Sequence, residues 1–373
     1  MKPLANRSLA IDVMRGMTVA LMIVVNMSIN DTLSYAPLLH AVWHGLTLTD
    51  LVFPTFLFVA GLAIAFTLDA LEAQGTPQVL RKVLGRTALI FLCGFLMYWF
   101  PFVGMDAQGH PFLLPIAHTR IPGVLQRIAL GYGFAALILH FGKARGALAF
   151  SAVALLGYWA LLSAFGDLTL TGNAELKLDK LLLGDDHLYH GEGIAFDPEG
   201  ILSTLPAIVN VIAGCFAGRL VRRLGNGYET IARLMLAGAV CGAVALAWSG
   251  VLPFNKKLWT SSYVLVTIAI DLQLLALLVY AIELRGWRGW TYFFEVFGRN
   301  TLFIYLLSEL AGTVMGLIHP GGKDLNLFDW LYVNVFQGWI GDKPGSLLYS
   351  LSFMLCCWGV GYVLDKRRIY IRL

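Results

Sequence analysis

Long apolar segments recur along almost the whole chain, and they constrain its fold more than any other feature. Each is close to the roughly 20 residues that a helix needs to cross a bilayer. Inside a bilayer the backbone must satisfy its own hydrogen bonds, so such segments form helices. The sequence therefore predicts an all-α polytopic membrane protein with about ten transmembrane helices. The predicted spans are residues 8–29, 47–70, 84–104, 123–141, 146–165, 200–220, 231–252, 259–284, 293–317 and 346–365.

The composition agrees with a membrane protein and argues against two other classes. Only 13% of the 373 residues are charged and 58% are hydrophobic, whereas soluble domains carry roughly 25% charged residues. The net charge is only +4, and the basic residues are scattered between apolar segments. A nucleic-acid-binding protein needs a clustered basic face, so that function is excluded.

The basic residues predict the orientation of the chain. With a cytoplasmic N-terminus, 17 Lys and Arg fall on the cytoplasmic side, 7 outside and 3 within spans. This bias fits the positive-inside rule, so both termini are expected in the cytoplasm. The cytoplasmic residues include Lys2, Arg7 and Arg372, and the outside residues include Lys323.

The chain is expected to form a single transmembrane domain over 1–373. The longer loops, 166–199 and 318–345, are both expected outside, where they can cap a site. Within the second loop, the aromatic segment 327–340 is better interpreted as an interfacial helix than as an eleventh span. The apolar run after Arg7 is interpreted as a retained first helix rather than a signal peptide, because no small-residue cleavage site follows it.

All five cysteines lie in apolar segments, and none has metal-ligand spacing with a second cysteine or a histidine. We therefore interpret them as buried packing residues and expect no metal. They are Cys93, Cys215, Cys241, Cys356 and Cys357.

Polar side chains inside the spans are costly, so each is expected to face a partner or a cavity. Asp12 and Arg15 are three residues apart on one helix and can pair. Arg299 and Asn300 interrupt an apolar helix and fit either a tie between helices or an anion-binding role. Structural roles are favoured for Asp271 and Gln273. The remaining residues of this kind are Asn26, Asp50, Gln126, Arg127, Asn210 and Glu309.

Two features suggest chemistry near the outer membrane boundary. One is Asn26, and the other is the segment from His40 through His44 to Asp50. Histidine titrates near neutral pH and can take a proton from a nucleophile. An amide can donate to a developing oxyanion, and a carboxylate can orient the imidazole. From the residues alone, a structural histidine remains the more common interpretation.

Motifs of the common soluble enzymes do not occur in the sequence. There is no Gly-rich phosphate loop, no zinc signature and no Gly-x-Ser-x-Gly elbow. Cofactor phosphates would therefore have to meet Arg or Lys side chains and helix N-termini on the cytoplasmic side.

Six sequence blocks, in order along the chain, resemble the heparan-alpha-glucosaminide N-acetyltransferase family and its bacterial homologues. They are SLAIDVMRG at 8–16, HAVWHGLTLTDLVFPT at 40–55, RIPGVLQRI at 120–128, LLLGDDHLY at 181–189, AFDPEGILST at 195–204 and NKKLWTSSYV at 255–264.

The resemblance implies a transmembrane acetyltransferase that moves acetyl from cytosolic acetyl-CoA to an amino sugar across the membrane. It places the family's active histidine on His40 and its active-site asparagine on Asn26. His44 replaces an asparagine of the lysosomal enzyme, so we expect it to influence substrate choice. We expect no counterpart here of the lumenal domain that precedes the first helix of that enzyme. A bacterial inner membrane and a small amino sugar are therefore expected, and a homodimer is a family-based expectation.

The predicted active site divides into three groups of residues. His40 would be the general base, Asn26 the oxyanion donor and Asp50 the group that orients His40. The predicted acetyl-CoA contacts are Arg127, Gln126, Arg299, Asn300 and Arg15. The predicted sugar contacts are Glu199, Asp197, His44 and Asp186. A covalent acetyl-histidine is the alternative to direct transfer.

Three rival functions stay open on the sequence alone. Buried charges among about ten helices also suit a secondary transporter for amino sugars. A buried histidine and asparagine would equally serve O-acylation of an outer glycan. A degenerate relative acting as a partner protein is disfavoured, because His40 and Asn26 are both present.

Overall fold

A computed structural model describes residues 8–106, 108, 110–320 and 325–371. The orientation signals predicted at Lys2, Arg7, Lys323 and Arg372 lie outside the described residues. The helices are α1 Leu9–Asn26, α2 Leu48–Glu72, α3 Thr76–Trp99, α4 Val124–Phe165, α5 Ala174–Leu183, α6 Thr204–Leu224, α7 Tyr228–Ser249, α8 Ser261–Leu278, α9 Thr291–Arg299, α10 Thr301–Leu317, α11 Leu327–Leu331, α12 Gly338–Ile340 and α13 Asp342–Lys366.

Short elements complete the described chain. A hairpin of β1 (Val103–Met105) and β2 (Pro111–Leu113) follows α3, and its strands are antiparallel. A π-helical turn, Val279–Leu284, extends α8, and a second, Tyr332–Gln337, joins α11 to α12. Four 3-10 turns lie at Asp31–Leu33, Ala36–Leu38, Ile116–His118 and Asp185–His187.

The predicted all-α polytopic architecture is confirmed. Within the described residues, seven helices are long and apolar enough to cross a membrane, and the α9–α10 pair, bent by 82°, would be an eighth. The 42-residue α4 is too long for one crossing at 1.5 Å per residue, and it is broken at Lys143, where φ is +52°. Counting its two halves separately and adding α3 gives the predicted ten, a number that stays a prediction.

Close backbone contact holds the central helices together. A Cβ on Gly61 of α2 would lie 1.9 Å from the Val211 carbonyl oxygen of α6, and a Cβ on Gly214 of α6 would lie 1.9 Å from that of Phe58. Small residues let membrane helices approach closely, which gives dispersion contacts that lipid cannot replace. The interlocking glycines therefore fix α2, which carries Asp50, against the centre of the bundle.

The loops between helices gather at two opposite ends of the bundle. At one end, which we call the His40 end, Trp43 donates to the Leu168 carbonyl and Ile121 donates to the His187 carbonyl. At the other, which we call the Arg299 end, the contacts include those of Ser8 with Glu283, Glu72 with His140, and Arg299 with Asp365. The orientation predicted from the basic residues would place the His40 end outside.

Two predictions about local structure are corrected. Span 84–104 is wrong at its end, because α3 stops at Trp99; Pro101 follows, and the residue before a proline disfavours helical backbone. Cys356 is exposed rather than buried, and Cys93 and Cys241 are only partly buried. A span of a membrane protein can turn an apolar face outward to lipid, so an apolar neighbourhood does not imply burial.

Residues 327–340 form α11, the second π-helical turn and α12. Their position at the membrane interface stays a prediction. The pairing of Asp12 with Arg15 is confirmed, with the two side chains 3.2 Å apart.

Candidate active site at the His40 end

The start of α2 is built so that one carboxylate performs two tasks. Thr47 is the N-cap of the helix and forms a capping box with Asp50. Oδ2 of Asp50 accepts hydrogen bonds from the backbone N–H of Thr47 at 3.0 Å and of Ala41 at 3.1 Å. Such caps stabilise a helix start. The cap leaves Oδ1 of Asp50 free for a partner outside the helix.

That partner is His40, whose Nδ1 lies 2.7 Å from Oδ1 of Asp50. The Asp50 side chain is only 1% exposed, whereas that of His40 is 47% exposed. An ionised carboxylate only accepts hydrogen bonds, so Nδ1 of His40 carries the hydrogen and Nε2 carries the lone pair. The pair is therefore an oriented base whose reactive nitrogen is accessible.

Lys256, in the loop before α8, completes this group. Its Nζ lies 3.0 Å from Nδ1 and 3.1 Å from Nε2 of His40. Burial lowers the pKa of the Lys256 ammonium, and the charges of Asp50 and Glu199 partly offset this effect. The imidazole thus lies between a carboxylate and an amine.

Asn26 is the last residue of α1 and is exposed. Its Nδ2 donates to Oε1 of Glu309 on α10 at 2.8 Å. An amide nitrogen carries two N–H donors, so one remains for a ligand. Among the described residues, no hydrogen bond joins Asn26 to His40.

Arg120 organises the predicted sugar-binding acids. It binds both oxygens of Asp197, at 2.8 and 2.7 Å, and Oε2 of Glu199 at 2.6 Å. Its guanidinium lies over the rings of Tyr98 and Tyr189. Burial disfavours the charge of Arg120, but the hydrogen bonds that Arg120 donates to Asp197 and the negative charge of Glu199 outweigh burial and raise the pKa of Arg120 above its ordinary value.

The two acids of this group, Asp197 and Glu199, differ in how many carboxylate oxygens they leave available for a ligand. Asp197 also accepts the backbone N–H groups of Tyr189 and Glu199, and it is 1% exposed. Its oxygens are therefore committed to the protein. Glu199 uses Oε2 for Arg120 and keeps a second oxygen for a ligand.

Among the described residues, neither His44 nor Asp186 is hydrogen-bonded to His40. Nδ1 of His44 accepts from Asn255 at 3.2 Å, and burial lowers the pKa of its imidazole. Asp186 lies 3.4 Å from His118 at the surface, where both side chains are more than 60% exposed. Asp186 therefore has the geometry of a solvated loop residue.

Arg127 lies in a sealed polar cluster formed with Glu175, Asp179 and Ser203. It donates to Ser203 and to the Gly200 carbonyl, and it lies 3.9 Å from Glu175. Both acids are at most 1% exposed. Burial raises the pKa of Glu175 well above its ordinary value and raises the pKa of Asp179 to about 6.

Position 200, beside this cluster, has room only for glycine. A Cβ there would lie 1.9 Å from Oδ2 of Asp179 and 2.6 Å from Oε1 of Glu175. The neighbouring Gln126 is 1% exposed, and neither atom of its amide has a partner within the described chain. Gln126 thus keeps its full capacity for a ligand, and Arg127, which bonds the cluster through Nη2 alone, keeps Nε and Nη1 without a partner in the described chain.

The Arg299 end contains the other predicted acetyl-CoA contacts. Arg299 binds both oxygens of Asp365, at 2.7 and 2.9 Å, and Glu295 at 2.7 Å. Asn300 donates to the Ile369 carbonyl and accepts from the backbone of Ile371. The sequence left open a tie between helices or an anion-binding role for these two residues. The observed contacts correspond to the tie between helices. Arg15, paired with Asp12, lies in the first turns of α1 near the same end.

Sequence reasoning missed Lys256, Arg120 and the acids of α5, Glu175 and Asp179. Lys256 lies in the resemblance block 255–264, where nothing in the sequence distinguishes it from Lys257. Arg120 begins the block 120–128, where the sequence does not indicate its acidic partners. The α5 acids look like an ordinary solvated helix face, and only the packing of the loop over them buries them.

Fold and site together define a class: a polytopic membrane protein with an accessible, carboxylate-oriented histidine at one end of its helical bundle. Residues 7–227 match the family described as "Heparan-alpha-glucosaminide N-acetyltransferase, catalytic", and the chain belongs to this family.

Two curated relatives extend the similarity beyond that region. Heparan-alpha-glucosaminide N-acetyltransferase of Homo sapiens is 28% identical, over 81% of this chain and 52% of the relative. The enzyme of Mus musculus is also 28% identical, over 82% of this chain and 54% of the relative. The chain thus spans about half the length of the curated relatives it matches.

Proposed function

We propose that this protein is a transmembrane N-acetyltransferase. It moves acetyl from cytosolic acetyl-CoA to the amine of glucosamine, or of a glucosamine-terminated saccharide, at the His40 end. Its setting would be a bacterial inner membrane, with the His40 end in the periplasm and residues 1–373 forming one domain. The observation that carries the proposal is the exposed His40 oriented by the buried Asp50.

The proposed chemistry follows from the free atoms of the site. Nε2 of His40 takes the proton of the acceptor nitrogen as this nitrogen attacks the thioester carbonyl. The free N–H of Asn26 donates to the oxyanion, and Glu309 holds the amide in place. His40 then gives its proton to the leaving sulfur. For a neutral amine, one N–H bond and the C–S bond break, while an N–C bond and an S–H bond form.

We assign binding roles by the same criterion, which is whether a polar atom is left without a partner in the described chain. Glu199 is proposed to bind the sugar, and Arg120 and Asp197 to hold Glu199 in place. For acetyl-CoA, Gln126 can form hydrogen bonds with an amide of the pantetheine arm, because both polar atoms of its side chain lack partners in the described chain. Arg15 is kept as the candidate for phosphate, and the homodimer remains an expectation.

The test is acetyl transfer by the purified, detergent-solubilised protein with acetyl-CoA and glucosamine. Free CoA and N-acetylglucosamine are quantified by mass spectrometry for the wild type and for His40→Ala. General-base catalysis is worth roughly 10²–10⁴-fold, so the variant should lose at least a hundredfold in turnover. His118→Ala, a change of an exposed histidine at the same end, should keep wild-type turnover.

Other outcomes would replace the proposal in defined ways. Transfer to hydroxyl acceptors but not to glucosamine would identify an O-acyltransferase. Acetyl-His40 formed from acetyl-CoA alone would establish the covalent route. Glucosamine uptake into proteoliposomes without acetyl-CoA consumption would establish a transporter instead.

A further inference from the structure

The last helix, α13, ends at Lys366 in a turn that is unusual for an arginine. The backbone N–H of Arg368 donates to the Asp365 carbonyl at 2.9 Å, and that of Ile369 donates to the Leu364 carbonyl at 2.9 Å. This pair of bonds is a Schellman motif, whose left-handed residue is usually glycine. Here that residue is Arg368, with φ +57°. The steric cost of a side chain at this position points to a use for the guanidinium group.

Residues 366–371, which we call the C-terminal segment, are held against the junction of α9 and α10 by one buried amide. Asn300 is 1% exposed. It donates to the Ile369 carbonyl at 3.0 Å and accepts from the backbone N–H of Ile371 at 2.8 Å. The conformation of the segment is therefore set by the bundle, and the segment can present its side chains in a fixed arrangement.

The basic side chains of the C-terminal segment lack an acidic partner within the described chain. Lys366, Arg367 and Arg368 are all exposed, and none of them forms an ion pair there. The neighbouring acid, Asp365, is only 7% exposed and is bonded to Arg299 through both of its oxygens. The segment therefore presents three adjacent positive charges that the described residues do not neutralise.

Aromatic residues beside the C-terminal segment mark the level of the membrane surface. Nζ of Lys366 lies 5.7 Å from the ring centre of Tyr292 and 5.2 Å from that of Tyr362. Trp358 stacks on Tyr362, with the ring centres 5.1 Å apart. Tyrosine and tryptophan are enriched where membrane helices meet the lipid headgroups. The three positive charges therefore lie at the depth of the lipid phosphates.

Apolar side chains follow the three charges directly. Ile369, Tyr370 and Ile371 lie beyond the end of α13 and are 44%, 38% and 44% exposed. In water such a group would leave apolar area exposed, whereas at a bilayer surface it enters the boundary between headgroups and acyl chains. Basic and apolar side chains side by side complement an anionic phospholipid, which has a negative phosphate and apolar chains.

We propose that the C-terminal segment is a binding site for an anionic phospholipid of the leaflet at the Arg299 end. Arg367 and Arg368 bind the phosphodiester of a lipid such as phosphatidylglycerol, and Ile369 and Ile371 pack against its acyl chains. The same charges would attract the phosphates of CoA, but the exposed isoleucines favour the lipid. The site lies at the opposite end of the bundle from His40, so the inference does not rest on the proposed acetyl transfer.

The test measures lipid binding by the purified full chain in detergent. Native mass spectrometry with added phosphatidylglycerol or phosphatidylcholine gives an apparent Kd for each lipid, and the wild type should bind phosphatidylglycerol more tightly. The double variant Arg367→Gln/Arg368→Gln should bind it about 25-fold more weakly, since each basic residue near the membrane surface contributes about fivefold. Arg81→Gln/Lys82→Gln removes an exposed, adjacent basic pair in the second turn of α3 and should bind it like the wild type.

Arg368→Gly separates lipid binding from folding. Glycine suits a left-handed residue, so the melting temperature without lipid should stay equal or rise. Binding of phosphatidylglycerol should nevertheless weaken about fivefold, because one charge is lost. Arg368→Lys keeps the charge and should retain the binding.

Unchanged phosphatidylglycerol binding in Arg367→Gln/Arg368→Gln would overturn the inference. An equal loss in Arg81→Gln/Lys82→Gln would also overturn it, because the lipid would then respond to the basic side of the protein as a whole. Isothermal titration of CoA without lipid covers the remaining source of phosphate. A Kd for CoA that rises in the arginine double variant while lipid binding stays unchanged would replace the lipid site with a CoA site.

Discussion

The His40 group and the Arg127 cluster lie at the same end of the molecule and contain similar chemistry, yet their environments are opposite. In each, a buried acid is paired with a basic side chain. The His40 side chain is 47% exposed, whereas Arg127 and Glu175 are fully buried. A basic group can react only if a substrate can reach it, so the first arrangement suits catalysis and the second suits structure.

The acids of the two groups also differ in how their oxygens are used. Asp50 caps a helix with one oxygen and holds His40 with the other. In the Arg127 cluster, one oxygen of Glu175 and one of Asp179 lack a partner among the described residues. Unpaired buried polar atoms cost stability. The comparison indicates that the cluster leaves buried polar atoms without partners in the described chain, whereas both oxygens of Asp50 are used.

Removing the cation of the sealed cluster should give the largest change in stability. Arg127→Met leaves buried acids without their counter-charge, and breaking such a pair costs about 3–5 kcal/mol. His40→Ala should cost less than about 1 kcal/mol, because three other donors still hold Asp50. The melting temperatures of both variants are measured by thermal unfolding in detergent, which is monitored through exposure of the buried thiol of Cys215. Equal melting temperatures would remove the distinction between the two groups.

Asp50→Asn should show the reverse pattern, a large effect on rate and a small one on stability. The amide no longer orients His40 as a carboxylate does, so kcat/KM for acetyl transfer should fall about a hundredfold, or about 2.7 kcal/mol. The helix cap survives in part, so the melting temperature should change little. Steady-state kinetics on the same preparation test this prediction, and wild-type turnover would show that Asp50 only caps α2.

The pKa of Asp179 predicts a pH dependence of stability. Its pKa is raised in the folded state to about 6 by burial, above the ordinary value near 4. The folded chain then binds a proton more tightly than the unfolded chain, so stability rises as pH falls through about 6 and declines as pH increases. Asp179→Asn should remove this slope and raise stability at pH 8 by about 2 kcal/mol.

The control for this pH prediction is Asp185→Asn. Asp185 lies close to α5 but its side chain is 60% exposed beside Lys180, so the variant should follow the wild type. Melting temperatures measured from pH 5 to pH 8 compare the three proteins. A slope that persists in Asp179→Asn would place the titrating group elsewhere.

The smallest expected effect separates two acids proposed to bind the sugar. Glu199→Gln should raise KM for glucosamine about tenfold, or about 1.4 kcal/mol, because the free oxygen beside Arg120 loses its charge. Asp186→Asn should leave KM unchanged, since Asp186 is solvated and lies against His118. Initial rates over a range of glucosamine concentrations decide between them. A larger effect at Asp186 would move the sugar site outward onto the 166–199 loop.

The spans could be located well from the sequence, because length and apolarity alone identify membrane helices. The prediction failed where a local feature competes with that pattern. Pro101 ends α3 early. The predicted division between spans 123–141 and 146–165 does coincide with the break of α4 at Lys143. The prediction also failed for α5, whose acids have the pattern of a solvated helix and become buried only when the loop over them folds down.

By itself the sequence determined the membrane class and the approximate spans, because bilayer thickness and side-chain apolarity are local properties. The roles of His40, Asn26 and Asp50 stay predictions, and those of His40 and Asn26 rest on the family resemblance. Tertiary structure alone decided which residues share a site. Lys256 is 216 positions from His40, and Arg120 is 77 positions from Asp197, yet each pair is within hydrogen-bonding distance. It also assigned Arg127 to a sealed cluster and Arg299 to a helix tie. Such pairings depend on how helices pack, and helix packing depends on side chains distant in sequence.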